Sequence, residues 1–75
     1  MTLDGRKIGE RGRVVRVTGE RPDDGVRVRL MESGFVPGTE VRVTGSAPSG
    51  DPMEVRLAGY RLTLRRAEAA RVVLE

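Results

Sequence analysis

The side chains that could carry chemistry in this chain of 75 residues are almost all carboxylates and guanidinium groups. The sequence has no His and no Cys, so it lacks imidazole bases, thiolate nucleophiles and the usual zinc ligands. The candidate ligands for a divalent metal ion are the adjacent Asp23 and Asp24 and the separated Asp51 and Glu54. Adjacent carboxylates converge only in a turn, and a solvated turn is their usual role. We therefore predict that the protein is not an enzyme and has no catalytic residues, no cofactor and no tight metal site.

The stretch "PSGDP" (48–52) is a weak match to a phosphate-binding loop. Such loops need several glycines that lead into the N-terminus of a helix, whereas this stretch leads into a predicted strand. We therefore predict no nucleotide binding at this loop.

Basic residues outnumber acidic ones, fourteen to eleven, and give a net charge of +3. That balance favours nucleic acid or an acidic partner. However, acids are interspersed with the bases, and Phe35 and Tyr60 are the only aromatic residues on which a base could stack. In an extended chain Arg61 would point outward with Thr63, and Arg65 would continue that face. This basic stripe is a candidate partner surface, although a solvated face is the usual role of such charges.

Ten glycines and four prolines divide the chain into short segments, which is typical of a small sandwich or barrel. A chain of this length forms one domain, which we expect to cover residues 1–75. We predict an irregular lead-in over "LDGRKIGERG", a tight hairpin at "AG" (58–59) and one helical turn at "RAEAA" (66–70). The predicted strands are "RVVRV" (13–17), "EVRVTGS" (40–46), "MEVRL" (53–57), "YRLTL" (60–64) and "RVVLE" (71–75).

The alternation of apolar and polar residues assigns an inward face to each strand. In the first strand this face carries Val15 and Val17. Nearly all the inward residues are aliphatic, so we expect a largely aliphatic core. The other inward residues are Val41, Val43, Met53, Val55, Leu57, Tyr60, Leu62 and Leu64.

The stretch "VRVRLMESG" fits either a strand or a helix, because its first four residues alternate while Val26 and Leu30 lie four positions apart. The end of the stretch decides between them. If Gly34 takes a left-handed conformation just after a helix, Leu30 and Phe35 stand where an apolar contact accompanies a Schellman cap. We therefore predict a short helix near residues 26–33.

The next segment, "VPGT" (36–39), predicts a type II turn, in which Pro37 presets φ at the second position and Gly38 supplies a positive φ at the third. The whole pattern predicts an all-β fold, a small SH3-like barrel of about five strands with one short helix after the first strand. The apolar runs fall far short of the roughly 20 residues that span a bilayer, and no signal-peptide pattern opens the chain. We expect no membrane insertion and a cytoplasmic location.

The stretches "RLMESGFVPGTEVRV" and "APSGDPMEVRLAGYRLTLRRAEAARVVL" resemble the FeoA family, the small cytosolic proteins that accompany the bacterial ferrous-iron transporter FeoB. The resemblance covers nearly the whole chain, from about Gly9 to Leu74. This sequence departs from the family pattern at Ser33, where the family usually has Leu or Met. The residues that match the family's helix end, corner and central loop are Leu30, Gly34, Phe35, Pro37, Gly38, Gly50, Asp51 and Pro52.

The resemblance implies a non-enzymatic accessory protein that docks on the cytosolic part of a FeoB-type transporter and modulates its assembly or activity. Any association with iron would then run through the partner. We expect docking to centre on Val36 and Pro37, with arginines such as Arg61 and Arg65 at the rim. Two alternatives stay open. One is a nucleic-acid-binding small barrel, and the other is the SH3-like module that forms the carboxy-terminal domain of iron-dependent transcription regulators.

Overall fold

The computed structural model describes the whole chain, residues 1–75, as five strands, two α-helices and a 3₁₀ turn. The predicted all-β class is confirmed, as are the helix after the first strand and the helical turn before the last. Neither α-helix has the length and apolar character needed to cross a bilayer. The elements are the 3₁₀ turn Leu3–Gly5, β1 Arg11–Val17, α1 Gly25–Glu32, β2 Glu40–Ser46, β3 Met53–Leu57, β4 Tyr60–Leu64, α2 Arg66–Ala69 and β5 Val72–Leu74.

The strands are hydrogen-bonded in the order β4-β3-β2-β1-β5, and every neighbouring pair is antiparallel. Strand β1 serves two partners, because Arg11 to Arg13 pair with β2 while Val14 to Val17 pair with β5. Its register with β5 shifts between Val14 and Arg16, which marks a β-bulge. Bulges bend a strand and increase its twist, so β1 turns the sheet around the core as a small barrel requires.

The bulge also changes which residues of β1 face the core. Val14 and Val17 are buried, whereas Val15 is 36% exposed. The prediction that Val15 faces the core is therefore wrong, whereas Val17 is buried as predicted. Strict alternation fails here because the extra residue of a bulge moves the inward face by one position.

A single cluster of fourteen apolar side chains forms the core, and no polar or charged side chain is buried. Every predicted inward residue of β2 and β3 belongs to this cluster, while Leu62 of β4 packs against it half-buried. The cluster consists of Leu3, Val14, Val17, Leu30, Phe35, Val41, Val43, Met53, Val55, Leu57, Leu64, Ala69, Val72 and Leu74.

The lead-in contributes more than the irregular segment that the sequence predicts. Leu3 is buried, and its 3₁₀ turn lies against α2 and β5. Thr2 forms a β-bridge with Val73, and the N–H of Leu74 donates to the carbonyl oxygen of Met1 at 2.7 Å. The amino terminus therefore covers the outer edge of β5, which would otherwise be an unpaired strand edge.

The predicted cap at the end of α1 is confirmed. Gly34 has a φ of +114°, and its N–H donates to the carbonyl oxygen of Met31 at 3.0 Å. The N–H of Phe35 donates to the carbonyl oxygen of Leu30 at 3.1 Å, which completes the two hydrogen bonds of a Schellman motif. The side chains of Leu30 and Phe35 are both buried, so the apolar contact that accompanies this motif lies in the core.

The β3–β4 hairpin has the predicted two-residue turn, in which Ala58 and Gly59 have φ values of +50° and +83° and Leu57 pairs with Tyr60. The predicted inward position of Tyr60 is wrong, because this residue is 44% exposed. Its hydroxyl donates to the carbonyl oxygen of Ser33 at the end of α1. The phenol thus takes its hydrogen-bond partner at the surface, and the ring stays outside the core.

The corner at residues 36–39 joins α1 to β2. The N–H of Thr39 donates to the carbonyl oxygen of Val36 at 3.0 Å, and Gly38 has a φ of +93°, as a type II turn requires. Two further bonds, both 2.8 Å long, link the N–H of Gly38 to the oxygen of Val14 and the N–H of Val14 to the oxygen of Thr39. The corner is therefore fixed on β1.

Candidate partner-binding surfaces

The helix-end residues that match the FeoA pattern lie in or next to the core and support the corner at residues 36–39. Leu30 and Phe35 lie in the core, and Gly34 sits where the backbone reverses. A Cβ atom at Gly34 would lie 3.3 Å from Cδ1 of Leu57, so the site has little room for a side chain. These three residues therefore position the corner that follows them.

The corner itself presents apolar groups to solvent. Val36 is 40% exposed, and Pro37 and Gly38 are exposed. The guanidinium group of Arg13 donates to the carbonyl oxygen of Gly38 at 3.0 Å. The corner thus combines a small apolar surface, a rigid backbone and an arginine at its edge.

The central loop at Gly50, Asp51 and Pro52 is held by one residue of α2. The Nε of Arg66 donates to the carbonyl oxygen of Gly50 at 2.5 Å, and the backbone N–H of Arg66 donates to the Asp51 carboxylate at 3.1 Å. Asp51 therefore accepts a bond from the first N–H group of α2, one that the helix itself leaves unsatisfied. The loop leads into β3, and its carboxylate is already engaged.

Arg66 is a structural residue that sequence reasoning missed. Besides its contacts with the central loop, it donates from Nη1 to the carbonyl oxygen of Asp4 at 2.6 Å. It thereby joins the lead-in, the central loop and α2. Asp4 and Arg66 are 62 positions apart in the sequence, so no local signal predicts this contact.

The adjacent carboxylates Asp23 and Asp24 have different roles. Asp24 caps α1, accepting from the N–H groups of Val26 and Arg27 at 3.0 and 3.1 Å. Asp23 is largely exposed and lies 3.5 Å from the guanidinium group of Arg21. The turn therefore directs one carboxylate to a helix end and the other to solvent.

The charge on Asp24 is stabilised by its surroundings. The hydrogen bond from the Arg27 N–H lowers the pKa of this carboxyl most, and the Arg71 guanidinium 2.8 Å away lowers it further. Partial desolvation opposes both effects, but the pKa stays below its ordinary value. Asp24 is thus a carboxylate committed to the fold.

The other predicted candidates for metal binding, Asp51 and Glu54, have partners elsewhere. Glu54 accepts a hydrogen bond from the Thr44 hydroxyl at 3.0 Å, and Asp51 binds Arg66. The structure contains no group of three or more acidic side chains arranged to hold a metal ion.

The basic residues proposed from the sequence lie on and just after β4. Arg61 is exposed on the outer face of β4, 3.8 Å from Glu54. Arg65 is also exposed, and its backbone N–H donates to the Glu68 carboxylate at 2.9 Å. Strands β2 and β3 separate β4 from β1, on which the corner is fixed. No hydrogen bond or ion pair joins the corner residues Val36 and Pro37 to either arginine.

The register of the sheet reveals a larger basic feature, which we call the arginine row. Arg11 of β1 pairs with Arg42 of β2, Arg42 pairs with Arg56 of β3, and Arg56 pairs with Arg61 of β4. All four side chains are exposed. The sequence signal is an arginine between two apolar residues in each of "VRV", "VRL" and "YRL", but alignment of these residues depends on the register.

An open depression of about 440 Å³ lies along this row. Arg11, Arg42 and Arg56 line it together with Glu40, residues of the β3–β4 hairpin and Thr39 of the corner. Its lining is mostly polar, so it is suited to a charged group more than to an apolar ligand.

The class of protein follows from the fold, which is a bent five-stranded antiparallel sheet around one apolar core, with two short α-helices in the connections between strands. The structure of FeoA from Stenotrophomonas maltophilia in complex with zinc, described as an SH3 domain protein, has this fold at a TM-score of 0.89. It is 37% identical, and the match covers 100% of this chain and 89% of that one. A manganese-dependent transcriptional repressor matches at a TM-score of 0.82 but only 16% identity, over 99% of this chain and 40% of the repressor, so it shares the fold alone. The domain is therefore SH3-like.

The family is defined by sequence. The model of the FeoA domain matches residues 1–75, and the chain belongs to the FeoA family, as the motif residues predicted. A relative from Porphyromonas gingivalis (strain ATCC BAA-308 / W83), an Fe(2+) transport protein A/Fe(2+) transporter FeoB fusion protein, is 38% identical over 76 residues. The match covers 100% of this chain and 8% of the fusion protein. The family is thus linked to ferrous iron transport.

Proposed function

We propose that this chain is a non-enzymatic accessory protein that docks on the cytosolic part of a FeoB-type transporter and modulates its assembly or activity. The observation that supports this most strongly is the relative in which a FeoA-like segment and FeoB are parts of one chain. Fusion keeps two domains at a high effective concentration, which favours even a weak contact between them. A separate chain must make the same contact through its own surface. Because that contact is with the cytosolic part of the transporter, the chain resides in the cytoplasm.

The docking surface in this proposal is the corner, with Val36 and Pro37 as its centre. The two residues are exposed on a turn that β1 and the cap of α1 hold rigid. A pre-ordered apolar surface loses little conformational entropy on binding, so even a small one contributes to affinity. Arginines at the rim, including Arg61 and Arg65, would add orientation and a faster association rate.

The non-enzymatic part of the proposal rests on how the acidic side chains are used. Asp24 caps α1, Asp51 binds Arg66, and Glu54 binds the Thr44 hydroxyl. The pKa of Asp24 is lowered by the Arg27 N–H and by Arg71, which is the opposite of what a general acid needs. With no His or Cys in the chain, the association with iron runs through the partner.

Ferrous iron uptake in living cells tests this function. In a strain that lacks this gene but retains the transporter gene, we expect the initial rate of ⁵⁵Fe(II) uptake to differ from that of the parent. Expression of the chain should restore the parental rate, whereas the variant Val36→Asp should not. Val28→Asp is the matched control, because Val28 is a similarly exposed valine on α1. An uptake rate that is the same with and without the chain would overturn the proposal.

A nucleic-acid-binding barrel is the second candidate, and the arginine row is the observation that favours it. No aromatic ring lies on the face of the row, since Phe35 is buried and Tyr60 precedes Arg61 on β4 and so points to the opposite face. Proteins that bind single strands stack bases on aromatic rings, so this candidate has weaker support.

A further inference from the structure

The arginine row is the least expected charged feature of the molecule. Four exposed guanidinium groups stand in one line across β1, β2, β3 and β4, each directly opposite the next. Like charges that face each other on neighbouring strands destabilise a sheet. Folding gains nothing from such an arrangement, so the row points to a ligand that neutralises it.

The protein's own acids neutralise only the ends of the row. Arg11 lies 3.8 Å from Glu40, and Arg61 lies 3.8 Å from Glu54. The two central members, Arg42 and Arg56, form no ion pair and no side-chain hydrogen bond. They are directly opposite each other on β2 and β3, so their positive charge is free for an external anion.

The two flanking acids also define the shape of the positive surface. Glu40 lies two positions before Arg42 on β2, and Glu54 lies two positions before Arg56 on β3. Because β2 and β3 are antiparallel, these glutamates flank the row on opposite sides. The positive surface is therefore about one residue wide, and its three strand spacings of about 4.8 Å make it roughly 14 Å long.

We propose that the arginine row binds a partner α-helix that carries a single stripe of acidic residues and lies across the strands. Acidic residues at positions i, i+4, i+7 and i+11 of a helix share one face and extend over about 16 Å, close to the length of the row. Carboxylates form strong charge-assisted hydrogen bonds with guanidinium groups. The acidic stripe, and not the identity of the partner that carries it, defines this ligand. The row adjoins the corner, because Thr39 lines the depression along the row.

Nucleic acid fits the row less well. A duplex presents phosphates over a broad surface, and those beside the row would meet Glu40 and Glu54. Single strands are bound mainly by stacking on aromatic rings, which this face lacks because Phe35 is buried and Tyr60 points to the other face of β4. A narrow acidic stripe bordered by neutral or basic residues avoids both problems.

Fluorescence anisotropy with a synthetic helical peptide tests the proposal on the full chain. The probe carries glutamates at i, i+4, i+7 and i+11 on an alanine and glutamine background, and a second peptide has the same composition with its glutamates spread around the helix. We expect the striped peptide to bind more tightly than the scrambled one. Changing both central residues, Arg42→Gln and Arg56→Gln, should weaken its binding about tenfold or more.

The matched control is the double variant Arg16→Gln and Arg21→Gln, which removes the same charge at exposed positions outside the row. It should change the affinity for the striped peptide by no more than about threefold. In the unmodified chain, the largest amide shifts in ¹H–¹⁵N spectra should map to Arg42, Arg56 and their neighbours. That second measurement needs no variant, so it holds even if a substitution disturbs folding.

Three results would overturn the proposal. Equal affinity for the striped and scrambled peptides would show unspecific attraction of charges. Tighter binding of a duplex or single-stranded oligonucleotide than of the striped peptide at physiological salt would assign the row to nucleic acid. The absence of any binding by the striped peptide at millimolar concentration would leave the row without this ligand. Each result is independent of the uptake experiment, which tests the corner.

Discussion

Asp24 and Arg71 lie 47 positions apart in the sequence, yet Oδ1 of the aspartate is 2.8 Å from Nη1 of the arginine. The same carboxylate oxygen accepts the N–H groups of Val26 and Arg27 at the start of α1. One side chain therefore caps the helix and ties it to the residue that precedes β5. Both side chains are partly shielded from solvent, 17% and 33% exposed, so the pair is more than a surface contact.

This contact predicts how stability depends on pH. The pKa of Asp24 is lowered in the folded protein, chiefly by the Arg27 N–H and then by Arg71, relative to about 3.9 in an unfolded chain. The ionised carboxylate therefore stabilises the fold fully above about pH 5, and this contribution is lost as the pH falls through the lower folded pKa. Urea unfolding between pH 7 and pH 2.5 should show this loss.

The variant Asp24→Asn provides the comparison, because asparagine also caps helices but carries no charge. It should be less stable than the parent at pH 7 and should lose less stability on acidification. Identical pH profiles for parent and variant would contradict the role of this carboxylate.

The cap at the end of α1 predicts that Gly34→Val is strongly destabilising. Gly34 has a φ of +114°, and a Cβ atom there would meet Leu57 at 3.3 Å. A β-branched residue resists this conformation, so the loss should exceed about 1 kcal/mol. Thermal and urea unfolding measure it. Gly25→Ala is the control, since Gly25 has open space around it. An unchanged melting temperature for Gly34→Val would reject the cap.

Arg66 should contribute to stability although it is only half-buried. Its guanidinium group donates to the carbonyl oxygens of Gly50 and Asp4 at 2.5 and 2.6 Å. Hydrogen bonds of this charge-assisted kind are worth about 1.5 to 3 kcal/mol, so Arg66→Met should lower the free energy of unfolding by a similar amount. The neighbouring Arg65→Met, at an exposed position, should change it by less than about 0.5 kcal/mol. Equal changes in the free energy of unfolding for the two variants would contradict the stabilising role of Arg66.

The arginine row predicts an opposite outcome for Arg56. Because Arg56 faces Arg42 on one side and Arg61 on the other, its removal relieves repulsion between like charges. Arg56→Thr should therefore stabilise the protein by about 0.2 to 1 kcal/mol, an effect that shrinks as salt is added. Arg16→Thr should give no comparable gain. A loss of stability in Arg56→Thr at low salt would show that the row serves the fold.

The sequence predicted those parts of the fold that depend on local backbone chemistry. Gly34 with Leu30 and Phe35 located the end of α1, and Pro37 with Gly38 located the corner, because positive φ and fixed φ restrict which residues fit. The motif residues also indicated the family. Each of these signals is contained within a few neighbouring positions.

What the sequence did not predict depends on pairing between distant segments. The bulge that turns Val14 inward lies where the pairing partner of β1 changes from β2 to β5. The exposed position of Tyr60 depends on its hydrogen bond to the carbonyl oxygen of Ser33. The arginine row and the contacts of Arg66 likewise appear only when strands and loops are brought together. Periodicity assigns faces to a strand but carries no information about register with its neighbours.

The most direct test of the central claim is a binding titration between this chain and the full-length FeoB-type transporter of the same genome in lipid nanodiscs. We expect saturable binding above that of empty nanodiscs, weakened only modestly between low and physiological salt, because docking centres on the apolar corner. A duplex oligonucleotide should bind weakly and lose most of its affinity over the same range. Tight duplex binding that survives physiological salt, with no binding to the transporter, would contradict the account.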